Sequence, residues 1–154
     1  MSSQNQSFFD KLRSPFPQFL RWDGAMLFFR VAVSTSLIYI HGISKVADFD
    51  GLVAKIPDPL GIGTTMTAAA AVLGDFIAPL FVIFGLFTRF ALIPMLGVTL
   101  VALFFVHASD PWTVKDVPLM YTLAYLLIFF MGPGKYSLDY RLTGGVPTPE
   151  VPAK

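Results

Sequence analysis

Long unbroken apolar stretches, not alternations, set the rhythm of this chain. Residues 25–43 are mostly apolar, with one charge at Arg30, and residues 64–87 are mostly apolar, with one charge at Asp75. Residues 90–106 carry no charge, and residues 117–131 form a slightly shorter run. A bilayer core of about 30 Å needs about 20 helical residues. The pattern therefore predicts four membrane-spanning helices in a bundle, an all-α integral membrane fold. An open β-structure is excluded because its backbone groups would go unpaired in lipid. The strict apolar–polar alternation of a membrane barrel is absent.

Three segments follow from the same pattern. Residues 1–22 contain "SFFDKLRSPFPQFLRW", where aromatic residues mix with Lys11, Arg13 and Arg21. This reads as a short interfacial segment against the headgroups, and Pro15 and Pro17 argue against one continuous helix there. Residues 23–142 form the four-helix domain. Residues 143–154, "TGGVPTPEVPAK", are polar and proline-rich and are expected to be disordered. No polar-then-apolar leader with a small-residue cleavage site is evident at the N-terminus.

Composition sharpens the class. The 154 residues are 55% hydrophobic and 14% charged, with a mean hydropathy of +0.66. A soluble domain this small has too much surface to hide so much apolar matter. A net charge of +1 points to no nucleic-acid partner. Cysteine is absent, which removes thiol relays, cysteine-held iron–sulfur clusters and c-type haem attachment within this chain. "GIG" at 61–63 lacks the rest of any nucleotide-binding pattern and reads as a loop into the second span.

An even number of spans puts both termini on one side. That side holds Lys11, Arg13, Arg21, Arg89, Lys135, Arg141 and Lys154, and the other holds Lys45, Lys55 and Lys115. Seven basic residues against three predict cytoplasmic termini.

The polar residues inside the spans are the candidate chemistry, because charge is costly at membrane depth. On a straight helix Arg30 and His41 lie eleven residues, or about 20°, apart, with Ser34 and Lys45 close to the same line. The first span is thus expected to turn a polar stripe toward the bundle interior. Lys45 could equally snorkel to the interface, and Arg30 could do so at the other end. Asp75, in "AVLGDFIAP", must be paired, protonated or both. Pro79 cannot bond its carbonyl, so a bend is expected there. One reading pairs Asp75 with Arg30, and another makes it a proton-handling acid. His107, at the end of the third span, is expected at the level of His41. Two histidines are a sparse signal for a b-type haem. They suit hydrogen bonds to a quinone headgroup, or capping at the interface. Tyr121 and Tyr125, one turn apart, read first as packing residues, with contact of a phenol to a ligand as the other reading.

Four stretches together resemble the DoxX family of small bacterial four-helix membrane proteins. They are "YIHGISKVADF", "LGDFIAPLFVIFGLFTR", "VALFFVHASDPW" and "FMGPGKYSLDYR". The resemblance covers about residues 23–139. The family's His-Gly-x-x-Lys falls on His41, Gly42 and Lys45, and its acidic position, more often glutamate, falls on Asp75. Its Gly-Leu-x-Thr-Arg falls on Gly85, Leu86, Thr88 and Arg89. Its Gly-Pro-Gly-x-x-Ser-Leu-Asp falls on Gly132, Pro133, Gly134, Ser137, Leu138 and Asp139. Aspartate in place of glutamate withdraws the carboxylate by one carbon.

The resemblance implies a redox association, since the family includes subunits related to thiosulfate:quinone oxidoreductase. The function expected is a membrane component that binds quinone or quinol and passes electrons from a partner enzyme, with quinone as cofactor. Asp75 and His41 would act as proton-handling residues, and Arg30, His41, His107 and Lys45 would bind the headgroup. Without cysteine or a nucleotide motif the chain would need a redox partner subunit, membrane-bound or soluble. The alternative is a non-catalytic accessory or structural subunit of a larger membrane complex. A solute or proton carrier fits least well, for want of internal repeats.

Overall fold

A computed structural model of the protein describes residues 20–144. Most of the expected interfacial segment at 1–22, and all but the start of the expected tail at 143–154, lie outside the described residues. Among the described residues four helices are long and apolar enough to cross a membrane: α1 Trp22–Ala47, α3 Thr64–Phe84, α4 Thr88–Val106 and α5 Trp112–Met131. Two short helices join them, α2 Phe49–Lys55 and α6 Leu138–Leu142. There is no strand among the described residues. The fold is an all-α membrane bundle.

The helix ends show where hydropathy misplaces a boundary. The second apolar block runs to Phe87, but α3 stops at Phe84 because Gly85 is left-handed, with φ 66°. Phe87 also takes a positive φ of 47°. Leu86 and Phe87 are apolar, so this turn is invisible to an apolar count. The fourth block begins at residue 117, whereas α5 begins at Trp112, directly after Pro111. Its first turns carry Lys115 and Asp116, which the count had placed outside. At the far end of α1, Asp48 leaves helical geometry and its carboxylate accepts the N–H of Gly51 at 3.0 Å. One residue thereby ends α1 and caps α2.

Each spanning helix buries a narrow stripe and turns the rest outward. Large apolar residues such as Phe28, Phe90, Phe104 and Phe130 are exposed, as lipid-facing positions require. The core is built from Leu37, Val82, Leu92, Met95, Tyr125 and Ile128, among others. Sequential spans pack as neighbours. Gly74 lets α3 approach α4 so closely that a Cβ there would lie 2.6 Å from Val98 Cγ2. The α4–α5 seam is pinned where the Thr122 hydroxyl donates to that of Thr99 at 3.0 Å.

A π turn at Leu20–Gly24 opens α1, and helical regularity breaks inside the spans at three further places, each a single widened π turn: Ile38–Gly42 in α1, Leu73–Ile77 in α3 and Ala102–Val106 in α4. The second of these three lies just before Pro79, where a bend is expected from the sequence. The first of them has a larger consequence. The buried residues of α1 run Met26, Arg30, Ser34 and Leu37, and the next is Gly42. A π turn inserts one residue, so Gly42 takes the interior position that a regular helix would give to His41. His41 is rotated toward α5 instead. The expected single stripe from Arg30 through His41 is thus interrupted at its loop end.

Candidate functional site

Arg30 belongs to a clamp at the end of the bundle that carries the termini. It is 1% exposed, too deep in protein to snorkel. Its guanidinium donates to the Val82 carbonyl at 2.9 Å and to the Tyr136 carbonyl at 2.7 Å. Gly85 makes room: a Cβ there would lie 2.2 Å from Arg30 Nη1. Beside it, Asp139 accepts from the backbone N–H groups of Phe87 and Thr88 at 2.7 and 2.9 Å, and from the Thr88 hydroxyl at 2.8 Å. These N–H groups are orphan donors at the start of α4. Ser137 caps α6 by accepting from the Tyr140 N–H at 3.1 Å. The Gly-Leu-x-Thr and Ser-Leu-Asp stretches are therefore two halves of one structural joint. The pairing of Arg30 with Asp75 does not occur, because the guanidinium is engaged by carbonyls at the opposite end of the bundle.

Asp75 pairs with Lys45 instead. The carboxylate is almost wholly buried, and the lysine keeps 23% of its side-chain surface. The pair forms because Gly42 has no side chain. A Cβ on Gly42 would lie 2.5 Å from the Asp75 carbonyl oxygen, so α1 and α3 meet backbone to backbone. Pro79 supplies no N–H to that carbonyl, which leaves it facing α1. The glycine, the lysine three residues on, the acid and the proline thus form one contact.

His41 stands between this pair and the flank of the bundle. Its ring stands edge-on to the Tyr121 ring, with centres 5.9 Å apart and an interplanar angle of 84°. Tyr121 stacks on Tyr125 one turn away, with ring centres 5.9 Å apart. The Tyr121 and Ser36 hydroxyls share a hydrogen bond of 3.1 Å that links α5 to α1. A pocket of about 400 Å³ opens beside His41, lined by Ile40, His41, Asp116, Val117, Met120 and Tyr121. A second groove of about 560 Å³ continues from Met120 and Tyr121 between α1 and α5.

Of the residues expected to form a site, His41, Lys45 and Asp75 come together, and Arg30 and His107 do not join them. His107 Nδ1 lies 2.8 Å from the Asp110 carboxylate in its own loop, and it does not line the pocket beside His41. The partner of His41 is Tyr121, which reads as a packing residue in the sequence. Ser36 and Asp116 complete the polar wall. A signal was present: Ser36 on the first span and Tyr121 on the fourth are hydroxyls at membrane depth, where a polar group seeks a partner. Among the described residues no three His, Cys, Asp or Glu side chains are grouped to hold a metal ion.

Comparison with known proteins places this geometry in a family. An uncharacterised protein of Haemophilus influenzae is 33% identical over 78 residues, 48% of this chain and 52% of the relative. The chain therefore spans about half the length of that curated relative. No solved structure matches it significantly. The DoxX profile matches residues 25–108, more than half of the chain, from the first turn of α1 to just past His107. The chain belongs to the DoxX family.

Proposed function

We propose that the protein is the membrane component of a redox system and binds a quinone or quinol headgroup in the pocket between α1 and α5. The observation that carries this reading is the position of His41. It lines a pocket that is open to the bilayer flank, and a buried ion pair stands directly behind it. The pocket fits a flat, neutral, hydrogen-bonding ring. Tyr121 offers a hydroxyl, held by Ser36 of the adjoining groove, His41 offers a ring nitrogen, and Asp116 accepts from a phenol. When bound, a quinone supplies a two-electron, two-proton couple. His41 and Asp116 would each take or give one of the two protons, and Asp75, held by Lys45, would stabilise an imidazolium at His41. Electrons come from a partner subunit, membrane-bound or soluble, because the chain has no cysteine and no nucleotide motif. The basic residues favour an inner-membrane orientation with both termini in the cytoplasm, which puts His41 toward the opposite face.

The test is retention of quinone per folded protein after purification in mild detergent. His41→Ala and Tyr121→Phe should each lower it, and His107→Ala should leave it unchanged. Unchanged retention in both His41→Ala and Tyr121→Phe overturns the reading and puts the non-catalytic accessory subunit in its place.

A further inference from the structure

We propose that the groove between α1 and α5 is a tail channel for a prenylated quinone, and that Ala32 and Ala124 set its width. This rests on the headgroup site argued above. Three features of the groove lead to it. First, it is continuous with the headgroup pocket, since Met120 and Tyr121 line both. Second, its polarity is sorted by level. Ser36, Tyr121, His41 and Asp116 lie at one end, and Phe29, Val33, Leu123 and Leu127 form the other. From Tyr121 to Leu127 the apolar part runs about 9 Å by helix rise, the scale of the first part of a prenyl tail. Third, α1 and α5 stand apart below Tyr121. The Ser36–Tyr121 bond is the one side-chain hydrogen bond between them among the described residues, and the alanines Ala32 and Ala124 line the trough beneath it.

Charge selects among amphiphiles with a polar head and an apolar tail. Asp116 lines the head end, and the buried Asp75 lies behind it. Lys45, the nearby cation, is engaged by Asp75. A phosphate headgroup would meet carboxylates without a free cation. A neutral ring with carbonyl or phenol groups meets hydroxyls, an imidazole and an acceptor. An anionic lipid headgroup is thereby disfavoured; the occupant proposed is a prenylquinone, and a zwitterionic phospholipid, whose own cation would meet Asp116, is the competing outcome of the test.

The experiment uses the full chain in nanodiscs of zwitterionic phospholipid. Two probes are compared at equal mole fraction in the bilayer: a benzoquinone with a short prenyl tail, and the same ring without a tail. Wild type should bind both, the tailed one more tightly. Ala124→Leu and Ala32→Leu, which fill the trough, should each weaken the tailed probe by at least about tenfold and leave the tail-less probe unchanged. Ala124→Ser, which keeps the trough open, should behave as wild type. If wild type binds neither probe, the headgroup reading itself fails, and the channel with it. If both probes bind and both leucine variants hold the tailed one as tightly as wild type, the channel fails and the headgroup site stands. If the leucine variants lose a co-purifying phospholipid and not the tailed quinone, the trough is a lipid site and the proposal is overturned. A photoreactive group on the tail tests the same point without substitutions. It should label 29–33 and 123–127, and labelling confined to other segments overturns the channel.

Discussion

Gly42 and Asp75 touch backbone to backbone across the α1–α3 seam, with the Asp75 carbonyl oxygen occupying the space where any side chain at position 42 would begin. The contact sets how near Lys45 comes to the acid. Gly42→Ala forces the seam apart, and inserting even a methyl group into a filled site typically costs about 1–3 kcal/mol. The expected result is a lower thermal midpoint in detergent together with loss of quinone retention. A variant as stable as wild type would mean the seam yields freely.

The Lys45–Asp75 pair predicts an asymmetry. Lys45→Met strands a carboxylate that is 4% exposed, whereas Asp75→Asn strands an ammonium that already reaches solvent. Breaking a buried pair costs about 3–5 kcal/mol when the remaining charge cannot escape, so Lys45→Met should approach that range and Asp75→Asn should fall well below it. Denaturation of both variants beside the double mutant measures it. Equal losses would show that the lysine is as trapped as the acid.

At the other end, Asp139 acts as an N-cap supplied from a distant part of the chain. Asp139→Ala should cost about 0.5–2 kcal/mol, and its effect should overlap with that of Thr88→Ala, because both remove the same 2.8 Å contact. A double-mutant cycle reads this directly. Additive losses would place the two residues in separate interactions. Neither substitution should alter quinone retention.

The α2–α3 loop gives a pH dependence. Asp58 accepts the Gly63 N–H at 2.7 Å, the Thr67 hydroxyl at 2.9 Å and the Ile62 N–H at 3.1 Å. These bonds, that from Gly63 foremost, hold its carboxyl below the ordinary value of 3.8. A lowered folded value means that Asp58 contributes stability above pH 3.8, which is lost as pH falls through the folded value. Amide exchange at Ile62 and Gly63 should stay protected at pH 5 and lose protection well below pH 4. Asp58→Asn should weaken that protection and flatten its pH dependence.

Orientation is tested by fusing a reporter active only outside the cytoplasm to Lys154. Silence is expected from the distribution of basic residues, and strong activity would reverse the assignment.

The four spans were legible because a bilayer demands about 20 apolar residues in a row, and 25–43, 64–87, 90–106 and 117–131 meet or approach that demand. The clusters that hold the bundle together were legible only in part. His41, Gly42, Lys45 and Asp75 stood out as polar or small residues at costly depth. The partnerships did not, because they depend on helix rotation. A regular helix aligns Arg30 with His41, and the π turn at Ile38–Gly42 breaks that alignment by a single residue. Arg30 found carbonyls, which leave no trace in a side-chain pattern. Tyr121 was hidden by its own apolar ring, since stacking on Tyr125 is reason enough for it to be there. α2 and α6 went unseen because each is too short and too mixed in character to stand out from its loop.

The clamp around Arg30 also bears on how the protein is made. The guanidinium enters the membrane with the first span, yet the Tyr136 carbonyl that accepts from it is synthesised 106 residues later. Until then one of its two acceptors does not exist. A nascent chain halted before that point holds a buried cation with half its hydrogen bonds missing, and α4 lacks the Asp139 carboxylate at its first turn. An unfinished copy is thereby marked as unfinished by its own electrostatics. The Tyr136 carbonyl and the Asp139 carboxylate thus close the Arg30 end of the bundle only after all four spans have been made.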